Sequence, residues 1–170
     1  LQNSGEIQKH LSKQQELLRR ESKLRNEFMG FLRQGKFDEL NDRIENFNSN
    51  IENDALRKRL LNYLSLGSYM HAENTIGSGD FKYARELIEI YEMVDPENPD
   101  RYYLRACLQA QSGNKEEALK YLDEAADNGF FDYKKVENKK LLALIRDSEE
   151  YENILGKIRN NLEEKYSEEF

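Results

Sequence analysis

The side chains able to do chemistry are few and scattered. The two histidines, His10 and His71, lie far apart, and neither belongs to a His-x-x-x-His pair or neighbours a cysteine. No metal site is expected from them. The single cysteine, Cys107, stands between Ala106 and Leu108 and has no second thiol to pair with; it reads as a buried, inert thiol. Gly77-Ser78-Gly79-Asp80 is glycine-rich but lacks the strand before it and the Lys-Ser/Thr after it that a phosphate-cradling loop needs. It reads as a turn between helices. Carboxylates are plentiful, and Glu86, Glu89, Glu92, Asp95, Glu97 and Asp100 form an acidic run that no basic residue interrupts after Glu86. That run is either a solvated helix face and turn or a contact patch for a basic partner. General acid–base work needs a carboxyl of shifted pKa in a cleft, and the sequence displays neither that nor a nucleophile constellation. The expectation is a protein without catalytic residues, cofactor or metal.

Composition points the same way. The chain has 170 residues, 35% of them charged, with a net charge of −7, which argues against nucleic acid as the main partner. The charge is uneven: residues 1–36 hold eight Lys/Arg and four Glu, a net +4, leaving −11 for the rest. Lys9, Lys13, Arg19, Arg20, Lys23 and Arg25 form a basic stretch, but Glu6, Glu16, Glu21 and Glu27 dilute it. A solvated helix face is favoured there over contact with nucleic acid or an anionic surface. No run approaches a membrane-spanning helix, and no secretory leader is present. Leu1 in place of Met suggests a fragment or processed product. Localisation therefore stays open: a soluble chain, cytoplasmic, or periplasmic or lipid-anchored if a leader was removed.

The elements follow from hydrophobic spacing and turn residues. Ile7, Leu11, Leu18, Phe28, Phe31 and Leu32 predict an amphipathic helix over ~5–34 with Ser4 as its N-cap. Gly35 ends it. Phe37, Leu40, Ile44 and Phe47 begin a second helix, which the polar run Asn48-Ser49-Asn50 should stop. A third helix, ~55–77 behind Asp54, carries Leu56, Leu60, Leu64, Tyr69, Ala72 and Ile76; a fourth, ~81–94 behind Asp80, carries Phe81, Ala84, Leu87, Ile88 and Tyr91. Both prolines of the chain, Pro96 and Pro99, sit in the next turn and set a boundary there. Helices over ~100–111 and ~115–127 follow, the second behind a capping box Asn114-x-x-Glu117 and ending at Asn128-Gly129. Residues 130–146 suggest one or two short helices. Asp147-x-x-Glu150 is a capping box for a final helix through Tyr151, Ile154, Leu155, Ile158 and Leu162, and residues 166–170 should fray.

Part of this pattern repeats. Tyr69, Ala72, Gly79, Ala84, Ile88 and Tyr91 return 34 residues later as Tyr103, Ala106, Gly113, Ala118, Leu122 and Ala125. A fixed period of that size signals stacked helix pairs. Residues 65–130 resemble two consecutive tetratricopeptide repeats, with Pro96 where the family closes its unit. Phe28, Gly35, Phe37, Leu40, Ile44 and Phe47 look like a degenerate earlier copy, and Gly129 through Leu155 resembles the helical cap that follows such repeats in many bacterial proteins. His71 and Arg105 stand where the family usually has leucine, and Phe130 replaces the second closing proline.

The resemblance implies an all-α fold, a right-handed α-α superhelix of helix hairpins in one domain, 1–170. Its parts would be a long helix plus degenerate hairpin (1–50), a repeat (54–95), a second repeat (99–130) and a helical cap (131–170). It implies a non-catalytic scaffold or adaptor that binds a protein or peptide. The first helix of each pair would line the groove, through Tyr69, Glu73 and Ile76 and then Tyr103, Cys107, Ala110 and Gln111. Tyr69 and Tyr103 also fall on the apolar stripe, so core and groove roles both stay open. The Lys/Arg-rich set of carboxylate-clamp members is missing. Two alternatives stand beside this reading: self-assembly as a homo-oligomer through the N-terminal helix, and contact of residues 9–25 with nucleic acid or an anionic surface.

Overall fold

The computed structural model describes residues 2–50, 54–138 and 140–169. Helices make up 87% of it and no strand occurs among the described residues, so the fold is all-α. Eight α-helices appear there: α1 (Gln2–Gln34), α2 (Phe37–Asn50), α3 (Asp54–Ser78), α4 (Phe81–Val94), α5 (Asp100–Gln111), α6 (Lys115–Asp127), α7 (Tyr133–Asn138) and α8 (Glu149–Glu168), with a 3-10 helix at Lys140–Ile145 between the last two. Two compact units form, 1–67 and 68–170, and they meet in sequence at Gly67–Ser68 within α3. The prolines fall elsewhere, in the α4–α5 turn of the second unit.

In the first unit the core is Phe28, Leu32, Leu40, Ile44, Phe47, Leu56, Leu60 and Leu64, each at most 5% exposed. The rings of Phe28 and Phe47 meet edge to face, centroids 5.6 Å apart. Gly35 turns the chain at φ 66°, and the Lys36 amide donates to the Phe31 carbonyl at 3.0 Å. This closes α1 with a Schellman motif that favours glycine at that position. Gly67 lets α3 approach α1, because a Cβ there would lie 2.7 Å from Met29 Cε. Around this core, Arg59 holds the Glu21 carboxylate with two hydrogen bonds of 2.9 Å, and Arg43 pairs with Glu27. The Arg25 guanidinium lies 5.0 Å from the centre of the Tyr63 ring.

The second unit has the periodic residues at its centre. Ala72, Ala84, Ala106 and Ala118 are all fully buried. Gly79 and Gly113 adopt φ of 86° and 84° at the equivalent turns, where a left-handed backbone suits only glycine without strain. Helices α5 and α6 pack closely, while α3 and α4 meet through the rings of Tyr69 and Tyr91, 5.7 Å between centroids. Arg105 makes a bidentate bond to Glu92 of α4, both contacts at 2.8 Å. Cys107 is buried and free.

Several local expectations need correction. Ser4 lies inside α1, which has already begun at Gln2, and α2 continues through Asn48-Ser49-Asn50. Residues 51–53 lie outside the described residues. Asn114 makes no side-chain cap; its amide bonds Gln109 Oε1 at 2.8 Å instead. Ser148, not Asp147, caps α8, accepting from the Tyr151 amide at 3.3 Å. Helix α8 persists to Glu168 rather than fraying from Tyr166, while Phe170 lies outside the described residues. In α1 the apolar stripe is divided: Phe28 and Leu32 are buried, but Ile7, Leu11 and Leu18 are exposed.

Candidate functional site

The face expected to form a partner groove is covered by the chain itself. Tyr103 and Ile76 are fully buried and Tyr69 is 9% exposed. The ring of Phe130 stacks on Tyr103, 9° from parallel at 5.3 Å. The Lys135 ammonium of α7 sits 4.1 Å from the centre of the Tyr69 ring and 5.2 Å from that of Tyr103. It also bonds the Tyr69 hydroxyl and lies 4.0 Å from Glu73 Oε1. Glu73 further accepts from the Tyr103 hydroxyl at 3.3 Å, and burial pushes the Tyr103 phenol far above its usual pKa. Gln111 is exposed, yet its amide donates to the Leu141 carbonyl at 3.1 Å. Leu141 Cδ2 also comes within 3.7 Å of where a Cβ on Gly77 would be. Of the other two groove positions, Cys107 is fully buried and Ala110 is 5% exposed. A cation held between two aromatic faces and a carboxylate is attracted to both, so Lys135, with Phe130 and Leu141, anchors the chain on this face.

Helix α8 holds that segment from behind. Asn161 donates to the Ala126 and Phe130 carbonyls, both at 2.8 Å. Lys157 bridges Asp123 and Asp127 at 2.7 and 2.9 Å, and Arg159 reaches Glu137 at 2.8 Å. Asn161 had no signature in the sequence: a lone polar residue on a helix face looks solvated until the turn it bonds is placed.

What stays open lies beside the covered face. A cleft of about 500 Å³ is lined by Asp95, Glu97, Asn98, Pro99, Asp100, Phe130, Phe131 and Asp132. The acidic run supplies three of its carboxylates, and the α6–α7 connection brings Asp132 to the other side. A second hollow of about 320 Å³, formed with Tyr133, Lys134, Leu162 and Tyr166, shares Phe131 and Asp132 with the first. Phe131 is 36% exposed and Tyr166 56%. Acidic walls thus adjoin an aromatic floor. Among the described residues, no group of three or more His, Cys, Asp or Glu is arranged to hold a metal ion.

Asp100 carries the electrostatic signature of the cleft. Burial first, then the charges of Asp132, Asp95 and Glu73, push its carboxyl from 3.8 up to about 6. Its place in the first turn of α5 works in the opposite direction, since a helix N-terminus favours the anion; burial and like charge outweigh it. A folded-state pKa above the unfolded one means the folded chain binds the extra proton between pH ~4 and ~6. Stability from this group is therefore full below pH ~4 and is lost as pH rises through ~6. Asp100→Asn should raise stability at pH 7.5 by about 1–2 kcal/mol, a full two-unit shift being discounted for partial solvent exposure. Urea unfolding at pH 4.5 and 7.5 checks this: an unchanged gap between the two pH values in the variant would contradict it.

The basic stretch shows a different character. Lys9, Lys13, Arg19, Arg20 and Lys23 are exposed along α1, whereas Arg25 is engaged with Tyr63. Among the described residues no helix is long and apolar enough to cross a membrane. Compared with protein-family models, with curated proteins and with solved structures, the chain matches none.

Proposed function

We propose that the chain is a non-catalytic protein-binding module built from tetratricopeptide-like hairpins in a right-handed superhelix. Its partner is a protein segment that combines positive charge with an apolar or aromatic residue, and its recognition surface is the acidic cleft rather than the face of Tyr69 and Tyr103. One observation carries the reading: Phe130, Lys135 and Leu141 of the chain itself occupy the expected groove, while Asp95, Glu97, Asp100 and Asp132 line a cleft with Phe131 next to it. The buried alanines and positive-φ glycines at a 34-residue spacing support the repeat architecture. Crowded carboxylates favour a cation that relieves their repulsion, and Phe131, 36% exposed, adds apolar contact beside them, the Lys165 ammonium lying 3.8 Å from the centre of its ring.

A short peptide alternating Arg and Leu, and its counterpart with Glu in place of Arg, test this by NMR titration. The Arg peptide should bind with a Kd of about 10–100 µM, shift Asp95, Asp100 and Phe131 resonances, and bind more tightly at pH 7.5 than at pH 5, where Asp100 is protonated. Glu97→Lys combined with Asp95→Lys should weaken it at least about tenfold. Absence of binding by the unaltered chain at about 1 mM peptide, or equal binding of the Glu peptide, would remove the cleft as the recognition surface.

A further inference from the structure

Lys135 joins the acidic cleft to the closed tyrosine face. Its backbone amide donates to Asp132 Oδ1 at 3.0 Å, and Asp132 lines the cleft. Its ammonium lies 4.1 Å from the centre of the Tyr69 ring and 4.0 Å from Glu73 Oε1, and it bonds the Tyr69 hydroxyl. One residue is thus held by a cleft carboxylate through its backbone and by the tyrosine face through its side chain. We propose that Lys135 is a latch on the cleft, a role that rests on the cleft being the recognition surface: a cation bound beside Asp132 releases the Lys135 side chain from Tyr69 and Glu73, and that release in turn tightens the cleft.

Two links give the coupling one sign. The first is the Asp132 carboxylate. A guanidinium or ammonium arriving in the cleft competes with the Lys135 amide for it, and a bond between opposite charges outweighs one to a neutral amide. The backbone at Lys135 then loses the side-chain acceptor that fixes it. The second link is charge. In place, the Lys135 ammonium offsets Glu73. Glu73 is also among the charges that act on Asp100, after burial, Asp132 and Asp95. When Lys135 leaves, the carboxylates repel one another more strongly, and a cation in the cleft relieves that repulsion. Glu73 itself keeps the Tyr103 hydroxyl, 3.3 Å from its Oε2, as a hydrogen-bond donor. Binding therefore favours release, and release favours binding by the same factor. The Lys135 side chain is 19% exposed, so it can turn into water while Val136, fully buried, keeps α7 seated.

The peptide alternating Arg and Leu reads this coupling by NMR at pH 7.5. Lys135→Met keeps an unbranched side chain and removes the ammonium, and Lys134→Met makes the same charge change at the exposed neighbour. The first should tighten peptide binding about fivefold, the second less than about twofold. In the parent chain the peptide should shift the ring resonances of Tyr69 and Tyr103 as well as those of the cleft. In Asp132→Asn the Lys135 amide keeps an acceptor that no longer attracts a cation, so the peptide should bind more weakly and leave both rings unmoved. The ring shifts in the parent and in Asp132→Asn decide the matter even where Lys135→Met fails to fold. Equal binding by the parent and Lys135→Met, equal tightening by Lys134→Met, or unmoved tyrosine rings in the saturated parent overturns the latch and leaves the cleft standing. Failure of the parent to bind at about 1 mM peptide overturns both.

Discussion

Phe130→Ala should lower stability by about 3–5 kcal/mol and the melting temperature by roughly 10 °C for a chain of this size. The ring is 2% exposed and lies flat on Tyr103, so its removal leaves a cavity against that ring. The backbone of the turn should survive. Gly129 keeps its φ of 91°, and Asn161 bonds main-chain carbonyls, not the ring. The loss is therefore one of packing, and it should be selective: the tyrosine face opens before α5 and α6 unfold. With no Trp in the chain, tyrosine emission reports that opening directly, and an apolar dye should bind the variant more strongly. Phe130→Leu, which keeps most of the volume, should cost no more than about 1.5 kcal/mol. A melting temperature within about 2 °C of the parent would mean that Phe130 does not hold this face closed.

The second large effect belongs to the first unit. Phe28→Ala should cost about 3–5 kcal/mol, because the ring is 2% exposed and sits edge-on to Phe47. The ion pairs Glu21–Arg59 and Glu27–Arg43 also tie α1 to its neighbours. Their partly exposed side chains leave each of these pairs screened by solvent and weak. The apolar contact, not the charge, thus anchors α1. Hydrogen exchange should show α1 and α2 amides losing protection in the variant while those of α5 and α6 keep theirs. Arg59→Ala is the comparison and should change little. Equal loss of protection in the two variants would place the anchor in the ion pairs instead.

These contrasts show which parts of the molecule were legible before folding. The helices and turn glycines were, because each depends on residues within a few positions: Gly35, Gly79, Gly113 and Gly129 end helices by local backbone geometry, and apolar spacing marks the inward face. The fate of that face was not. Tyr69 and Tyr103 look alike whether a partner or the chain covers them. What decides is Lys135, 66 residues beyond Tyr69, a charged side chain that sequence reasoning assigns to solvent. The cleft was half legible. The acidic run from Asp95 to Asp100 stands out in the sequence, but Asp132 and Phe131 join it only because α7 folds back.

The sequence by itself determined an all-α chain, the bounds of most helices and the alanine and glycine positions that make a compact hairpin, since short-range sterics and hydrophobic period suffice for these. Tertiary structure alone decided three things. It closed the tyrosine face with Phe130, Lys135 and Leu141, raised the Asp100 pKa by burying it and then by bringing Asp132 near, and buried Phe28 and Leu32 while leaving Ile7, Leu11 and Leu18 exposed on the same helix. Burial, and the electrostatics that follow from it, depends on which distant segment arrives, and amphipathic spacing states only that something should.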